Sequence, residues 1–168
     1  MNKKDFKNSI FSLSERIYPM VVRLLGNDID AKDAIQEIMI KLWNKRNQLT
    51  NHPNQSGYVF LTARNHCLDI LKRKKVNLID PNTHDPKLMS INGHTEYELK
   101  ELISIIEKIL CNRPTEHKEI LLMRDLDGMG YDEIAEVTKI NVKHLRVIIS
   151  RTRKFVQEEL RKNFNYEQ

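Results

Sequence analysis

Apolar residues recur at steps of three and four positions along most of the chain, which is the spacing of one face of an α-helix. The clearest stretch is the one around residue 37, whose apolar positions are Ala31, Ala34, Ile35, Ile38, Met39, Leu42 and Trp43. No segment shows the strict alternation of a half-buried strand, and no internal repeat is present. The pattern therefore predicts an all-α fold.

The N-terminal part of this pattern predicts three helices. The first covers residues 5–25 and is expected to kink at Pro19, because proline lacks the donor that a helix interior needs. The second is expected to be capped by Asp30, whose side chain can accept a hydrogen bond from the first turn. The third is predicted from about Tyr58 to Lys75.

The periodicity stops in residues 76–94, which contain two prolines, one glycine and many turn-forming residues. We interpret this segment as a flexible linker between two small helical domains, residues 1–75 and residues 95–168. The second domain is expected to begin with helices over 95–110 and 115–126.

A pair of short amphipathic patterns follows in the second domain, one over Tyr131–Thr138 and one starting near Val142. Only a three-residue turn separates them, and Asn141 can cap the second helix. Two helices joined in this way form a helix-turn-helix. The inward positions of the second helix are expected to be Leu145, Ile149, Thr152 and Val156.

The charge is unevenly distributed in a chain whose net charge is +5. Residues 28–37 carry four acids and one lysine, whereas residues 72–75 read KRKK and residues 139–162 hold eight bases. This asymmetry favours a polyanion contacted in two places and a different partner at the acidic segment. A charge run by itself also fits a solvated helix face.

No enzyme motif is present: the chain lacks a glycine-rich phosphate loop, HExxH, GxSxG and a paired-cysteine metal site. We therefore predict no catalytic residue, no cofactor and no metal. The six histidines are expected to be solvated or capping residues, and Cys67 and Cys111 are expected to be buried thiols in a reducing compartment. No apolar run approaches the ~18 residues of a membrane span and no signal-peptide core is visible, so a cytoplasmic location is expected.

Three segments of the chain carry a family resemblance: NDIDAKDAIQEIMIKLWNKRNQL, GYVFLTARNHCLDILKRKK and RPTEHKEILLMRDLDGMGYDEIAEVTKINVKHLRVIISRTRKFV. They resemble the extracytoplasmic-function (ECF) group of bacterial RNA polymerase sigma factors in the sigma-70 family. The first two segments resemble region 2 of that group, and the third resembles region 4. The resemblance implies a non-enzymatic factor that directs promoter-specific initiation. Its first domain would dock on polymerase and open and read the −10 element, and its second would read the −35 element.

The predicted −35 surface is the outward face of the second helix of the pair, where cations can bond guanine edges or phosphates and valine methyls can pack on thymine. Its residues are Lys143, His144, Arg146, Val147, Ser150, Arg151, Arg153 and Lys154. An ordinary solvated helix is the alternative interpretation.

The predicted −10 surface combines the loop before the third helix with the polar face of that helix. Its residues are His52, Asn54, Gln55, Tyr58, Asn65, Asp69, Lys72 and Arg73. The loop residues can bond a flipped base, and an aromatic ring with trailing cations suits a single strand. For the loop, simple turn chemistry is the alternative, and Tyr58 can equally be a half-buried core residue.

The predicted polymerase-docking face lies on the second helix and consists of Asp33, Gln36, Glu37, Ile40 and Asn44. An apolar residue within an acidic and polar patch suits a protein partner better than DNA. The resemblance implies docking on the β′ clamp helices, a further contact with the β flap, promoter DNA as a ligand and an anti-sigma factor as a regulator.

The chain departs from the family pattern at several positions. Lys139 stands where glycine is frequent, so the turn is expected to be strained or differently shaped. Gly130 replaces a frequent capping Ser or Thr, Arg113 replaces a leucine, and Val147 and Ile148 replace polar or basic residues. Two other interpretations remain open: a free-standing helix-turn-helix regulator with an N-terminal ligand or dimerisation domain, and an adaptor that binds only proteins.

Overall fold

The structure is a computed structural model and describes residues 1–77, 105–106 and 108–164. Within these residues the structure contains eight α-helices of four or more residues and a 3₁₀-helix at Phe11–Leu13. The described residues form no strand. The α-helices are α1 Lys3–Ser9, α2 Ser14–Leu25, α3 Asp28–Asn44, α4 Arg46–Leu49, α5 Gln55–Asn77, α6 Thr115–Asp125, α7 Tyr131–Thr138 and α8 Val142–Phe164. The all-α prediction is confirmed.

The described residues fall into two compact helical units. In the N-terminal unit, α2, α3 and α5 pack against one another in all three pairs. Their shared core contains side chains with no exposed surface: Ile17, Met20, Val21, Ala31, Ile38, Leu42, Val59, Phe60 and Ala63. Burying such apolar side chains is the main stabilising term of a small domain, so this core fixes which faces of α3 and α5 remain on the surface.

The predicted first helix is interrupted well before its proline. The chain forms α1, then the 3₁₀-turn at Phe11–Leu13, and starts a new helix at Ser14 that continues through Pro19. Pro19 therefore lies in the second turn of α2, where its missing N–H removes only the bond to the carbonyl of Glu15. The prediction of one helix over residues 5–25 was wrong for this reason.

The N-cap of α3 is Asn27 and not Asp30, which corrects the predicted cap. The side-chain oxygen of Asn27 accepts a hydrogen bond from the backbone N–H of Asp30 at 2.8 Å, and its side-chain amide donates to the Asp30 carboxylate at 2.9 Å. Asp30 also pairs with Lys74 of α5. The bond from Lys74 and then the bond from Asn27 lower the pKa of the Asp30 carboxyl, so this acid ties α5 to the first turn of α3.

Helix α5 begins three residues earlier than predicted, at Gln55. The side-chain oxygen of Asn54 accepts from the backbone N–H of Gly57 at 2.9 Å, which satisfies one of the free donors of the first turn. The predicted linker beyond residue 77 and most of the predicted helix over 95–110 lie outside the described residues.

In the C-terminal unit α6 packs against α8. All four predicted inward residues of α8 are buried, Leu145, Ile149, Thr152 and Val156, and so is Ile134 of α7. The hydroxyl of Thr152 donates to the carbonyl of Ile148 at 2.7 Å, so its polar atom is satisfied inside the core. The helical periodicity of this segment was therefore a sufficient guide to its core.

Candidate nucleic-acid and polymerase interfaces

Helix α8 separates an apolar inner face from a basic outer face. Every residue of the predicted −35 surface is exposed: Lys143, His144, Arg146, Val147, Ser150, Arg151, Arg153 and Lys154. The backbone N–H of His144 donates to the side chain of Asn141 at 2.9 Å, which confirms the predicted cap. A helix held by its buried side and by its cap keeps this basic face turned to solvent.

The cations on this outer face differ in how they are held. The guanidinium of Arg153 forms two hydrogen bonds with the carboxylate of Asp125 at the end of α6, one of them at 3.0 Å, and these bonds raise its pKa. The guanidinium of Arg146 lies 5.3 Å from the ring centre of Tyr131 in α7. Arg153 therefore links α8 to α6, whereas Arg146 is oriented by the preceding helix of the pair.

Val147 and Ile148, the two apolar departures from the family pattern, have different surroundings. Ile148 is buried and belongs to the core, whereas Val147 is 43% exposed in the middle of the basic face. Burial accounts for the apolar residue at Ile148. Val147 leaves two methyl groups on the outer face, and these can contact the methyl group of a thymine.

The start of α7 compensates for the missing capping side chain at Gly130. The carboxylate of Glu133 turns back and accepts from the backbone N–H of Gly130 at 2.7 Å. Glu133 is buried by this arrangement, while Asp132 stays exposed. An acid in the first turn is also favoured by the helix dipole.

The turn between α7 and α8 places Lys139 at φ 61°, in the left-handed region. A side chain in this conformation costs roughly 1–2 kcal/mol, which glycine avoids at an entropic cost of about 0.4–1 kcal/mol. We expect Lys139→Gly to raise the free energy of unfolding of the C-terminal unit by about 0.5–1 kcal/mol. Denaturant titration measures the change. The control is Arg151→Gly, at an exposed position inside α8, which should lower stability by about 1 kcal/mol, and equal destabilisation by both variants would contradict the assignment of strain.

The loop before α5 is organised around His52 and Tyr58. Their ring centres are 5.0 Å apart, and the Nδ1 atom of His52 lies 2.9 Å from the carbonyl oxygen of Asn54. The side chain of Asn54 caps α5, and the amide of Gln55 donates to the carbonyl of Leu49 at 2.9 Å. All three predicted loop side chains therefore also have local turn roles. His52 in addition lies beside Tyr58, the aromatic residue of the same predicted surface.

The polar face of α5 is exposed at the predicted positions. Asn65, Asp69, Lys72 and Arg73 all face solvent, and Tyr58 is half-buried. The Nε atom of Arg73 donates to the carbonyl of Asp69 at 3.3 Å, so this guanidinium lies along its own helix.

The predicted docking face of α3 is exposed at all of its positions: Asp33, Gln36, Glu37, Ile40 and Asn44. Ile40 is 61% exposed, and Ile29 is 75% exposed on the same side of the helix, eleven residues and about three turns earlier. Sequence reasoning missed Ile29. The eleven-residue spacing from Ile40 was the signal that could have found it, because it brings a second apolar residue onto the same polar stripe.

Two expectations for reactive side chains were wrong. Cys111 is exposed, because it follows the helical turn that ends at Leu110, whereas Cys67 is buried and burial raises the pKa of its thiol to about 11. His66 was expected to be solvated but is buried between α5 and α3, within 2.6 Å of the Lys41 ammonium. A polar residue on the inner side of a helix gives no signal in the apolar period.

In the part of the chain that the structure describes, no group of three or more His, Cys, Asp and Glu side chains could hold a metal ion. None of the described helices is long and apolar enough to cross a membrane.

Comparison with known proteins identifies both units. Residues 12–76 match the family model for sigma-70 region 2, and residues 106–156 match that for sigma-70 region 4. The chain is 22% identical to the ECF RNA polymerase sigma factor SigW of Bacillus subtilis, over 93% of this chain and 89% of that protein. It is 24% identical to the ECF RNA polymerase sigma-E factor of Haemophilus influenzae, over 95% of this chain and 89% of that protein.

The fold is similar to that of a solved sigma factor. The sigma factor RpoE of Bartonella quintana, crystallised with the anti-sigma factor NepR, superimposes with a TM-score of 0.68 at 19% identity. The match covers 94% of this chain and 98% of RpoE. With two region models in the family's order and relatives matched over almost their whole length, the chain belongs to the ECF group of the sigma-70 family, the sigma factors that direct core RNA polymerase to promoters for transcription initiation.

Proposed function

We propose that this sigma factor divides promoter recognition between its two helical units, with residues 1–75 acting on the −10 element and residues 95–168 on the −35 element. Residues 76–94 would connect them. The observation that carries the proposal is the separation of α8 into a buried apolar face and an exposed basic face with its own N-cap. A helix of this kind is suited to enter the major groove of duplex DNA.

For the −35 element, α8 would place its cations and Ser150 against phosphates and base edges. Arg151 and Arg146 are candidates for bonds to guanine or phosphate, and the methyl groups of Val147 would favour a thymine. Arg153 would mainly keep α8 at its angle to α6, because two of its N–H donors are already engaged by Asp125.

For the −10 element, the loop over residues 51–56 and the start of α5 would receive the non-template strand as the duplex opens. The paired rings of His52 and Tyr58 offer a surface on which a base can stack. Lys72 and Arg73, about four turns further along α5, would track the backbone of the strand. Tyr58 is half-buried, so both stacking on a base and support of His52 are roles that fit it.

Exchanging residues 51–56 for the loop of a related sigma factor should change the preferred −10 base and leave the −35 preference unchanged. A base that leaves the stack loses its pairing, so the hydrogen bonds of its pocket must offset a few kcal/mol and the choice of base becomes sensitive to the loop. Transcription from paired libraries, each randomised at one element, measures both preferences. Because Asn54 and Gln55 also hold α5 and α4, an exchange that keeps these two residues is the matched control for folding.

Two outcomes of the library experiment would contradict the role of the loop. One is a change in the −35 preference. The other is an active chimera whose preferences are both unchanged, in which case the −10 base is read from the helix beyond the loop, by residues such as Asn65 or Asp69.

The outer face of α3 would dock on the clamp helices of the β′ subunit, and the C-terminal unit would contact the β flap. The factor would supply no catalysis of its own and would act in the cytoplasm with the polymerase. Since RpoE of Bartonella quintana was solved with the anti-sigma factor NepR, we propose that an anti-sigma factor also controls this chain.

A further inference from the structure

A buried imidazole connects Glu37 of the proposed docking face with Lys41, the residue that follows Ile40. His66 lies on the inner side of α5, and its side chain is 1% exposed. Its Nδ1 atom is 2.6 Å from the ammonium nitrogen of Lys41, and its Nε2 atom is 3.2 Å from a carboxylate oxygen of Glu37. Lys41 and Glu37 are one helical turn apart on α3, and both are exposed.

The geometry fixes the protonation state of the ring. A lysine ammonium has only donors, so Nδ1 must be the unprotonated acceptor and the proton of the neutral ring must be on Nε2. Nε2 has no hydrogen-bond partner in good geometry among the described residues, so its 3.2 Å approach to the Glu37 carboxylate is an electrostatic contact. Burial, followed by the nearby Lys41 ammonium, lowers the pKa of His66.

The two side chains that touch the ring are next to the residue on which docking depends. Lys41 follows Ile40 directly, and Glu37 precedes it by three positions on the same face. Long charged side chains on a surface lose freedom when they enter an interface, and a partner binds more tightly when they are already ordered. A buried group that holds both of them acts on the interface without touching the partner.

We propose that His66 is a positioning residue of the polymerase-docking face, whose neutral ring holds Lys41 through Nδ1 and Glu37 through Nε2–H. This inference rests on the proposed docking role of α3. In this proposal, a core histidine orders the Lys41 ammonium and the Glu37 carboxylate before the polymerase subunit binds this face.

The proposal also predicts that polymerase docking weakens at acidic pH. The charged groups around the ring are Lys41 and Glu37 from α3 and Arg73 and Asp69 from α5 itself. When the ring takes up a second proton, Nδ1 becomes a donor, so it releases and repels the Lys41 ammonium while its attraction to Glu37 increases. Because the pKa in the fold is below the ordinary 6.5, the arrangement is intact above about pH 6.5 and is lost as the pH falls through the lowered value.

Two substitutions separate positioning from packing. His66→Leu fills the same buried site but removes both polar contacts, whereas His66→Asn keeps an acceptor near the position of Nδ1 and cannot be protonated. At pH 7.5 and matched folding, we expect His66→Leu to bind core polymerase roughly 3- to 10-fold more weakly and His66→Asn to recover most of the loss. As the pH falls from 7.5 through the lowered pKa of His66, the parent should lose affinity, and His66→Asn should lose clearly less.

Nitrogen NMR of the histidine rings in the free factor tests the bridge without polymerase. We expect His66 to be the Nε2–H tautomer at pH 7.5 and its Nδ1 resonance to change in Lys41→Met, an uncharged variant of similar length. A charged ring at pH 7.5, or the Nδ1–H tautomer, would overturn the proposed bridge.

The binding experiment includes Ile40→Glu, so that failure of the two proposals can be told apart. If Ile40→Glu weakens binding and His66→Leu does not, His66 is only a core residue and the inference is wrong. If neither variant changes the affinity, α3 is not the docking face, and the proposed role of His66 falls with it.

Discussion

Ile40→Glu is expected to weaken the binding of core RNA polymerase at least about tenfold, because an anchor residue at the centre of an interface typically contributes about 2 kcal/mol or more. Ile40 is 61% exposed among charged and polar residues of α3, and the core of the unit lies on the opposite side of the helix. The substitution would replace an apolar contact with a carboxylate that is desolvated on docking. Competition binding to core polymerase measures the change.

The matched control is Phe11→Glu. Phe11 is another exposed large apolar residue of the same unit, on the 3₁₀-turn and not on α3. Circular dichroism and thermal unfolding should show both variants folded, and only Ile40→Glu should lose affinity. Equal affinity of Ile40→Glu and the parent at matched folding would exclude α3 as the main docking surface.

Replacing outward residues of α8 by alanine should change promoter selection in one of two distinct ways. A residue that bonds a base edge should cost about 1–3 kcal/mol at one position of the −35 element and relax the preference there. A residue that bonds a phosphate should weaken all promoters alike and lower the salt dependence by roughly one unit of slope. We expect Arg151→Ala to belong to one of these classes, and Arg146→Ala and Ser150→Ala likewise.

Arg153→Ala is the control for this series, because Arg153 is on the same helix and has the same charge but is bonded to Asp125. We expect it to act mainly by loosening α8 from α6, with the pattern of base preference retained. Transcription from a library randomised in the −35 element, repeated at several salt concentrations, separates the classes. If Arg151→Ala, Arg146→Ala and Ser150→Ala all leave the base preference and the salt dependence unchanged, this face does not read the promoter.

The parts of the structure that follow from apolar periodicity were predictable. The inner face of α8, the core face of α3 and the exposure of Ile40 all repeat at helical spacing, and each was found in the predicted place. The cap at Asn141 was predictable too, because an asparagine directly before an amphipathic segment has few other local roles.

Features that depend on contacts between distant segments were not predictable. Asp30 was expected to be a cap, yet its carboxylate pairs with Lys74, which is 44 residues away in the sequence. The burial of His66 depends on how α5 packs on α3. The apolar period of α5 alone gives no reason to expect a polar residue on the buried side of this helix. The interruption before Ser14 was hidden because the apolar spacing continues through the 3₁₀-turn.

The candidate site shows the same division. The exposed residues of α8 and α3 could be chosen by elimination once the core faces were known. The engagement of Arg153 by Asp125, and of Asn54 and Gln55 by the backbone around α4 and α5, required coordinates. These contacts change the design of experiments, since removing such a side chain changes the fold locally as well as any contact with DNA.

The most direct test of the account is to add the purified chain to bacterial core RNA polymerase and sequence the transcripts made from a promoter library. We predict transcripts that start at defined positions and share two upstream sequence elements, with none from core polymerase alone. Loss of these transcripts with Ile40→Glu and an altered −35 sequence with an α8 variant would assign the two steps to the two units. Specific binding to a single DNA element without polymerase, and no transcripts with it, would contradict the account.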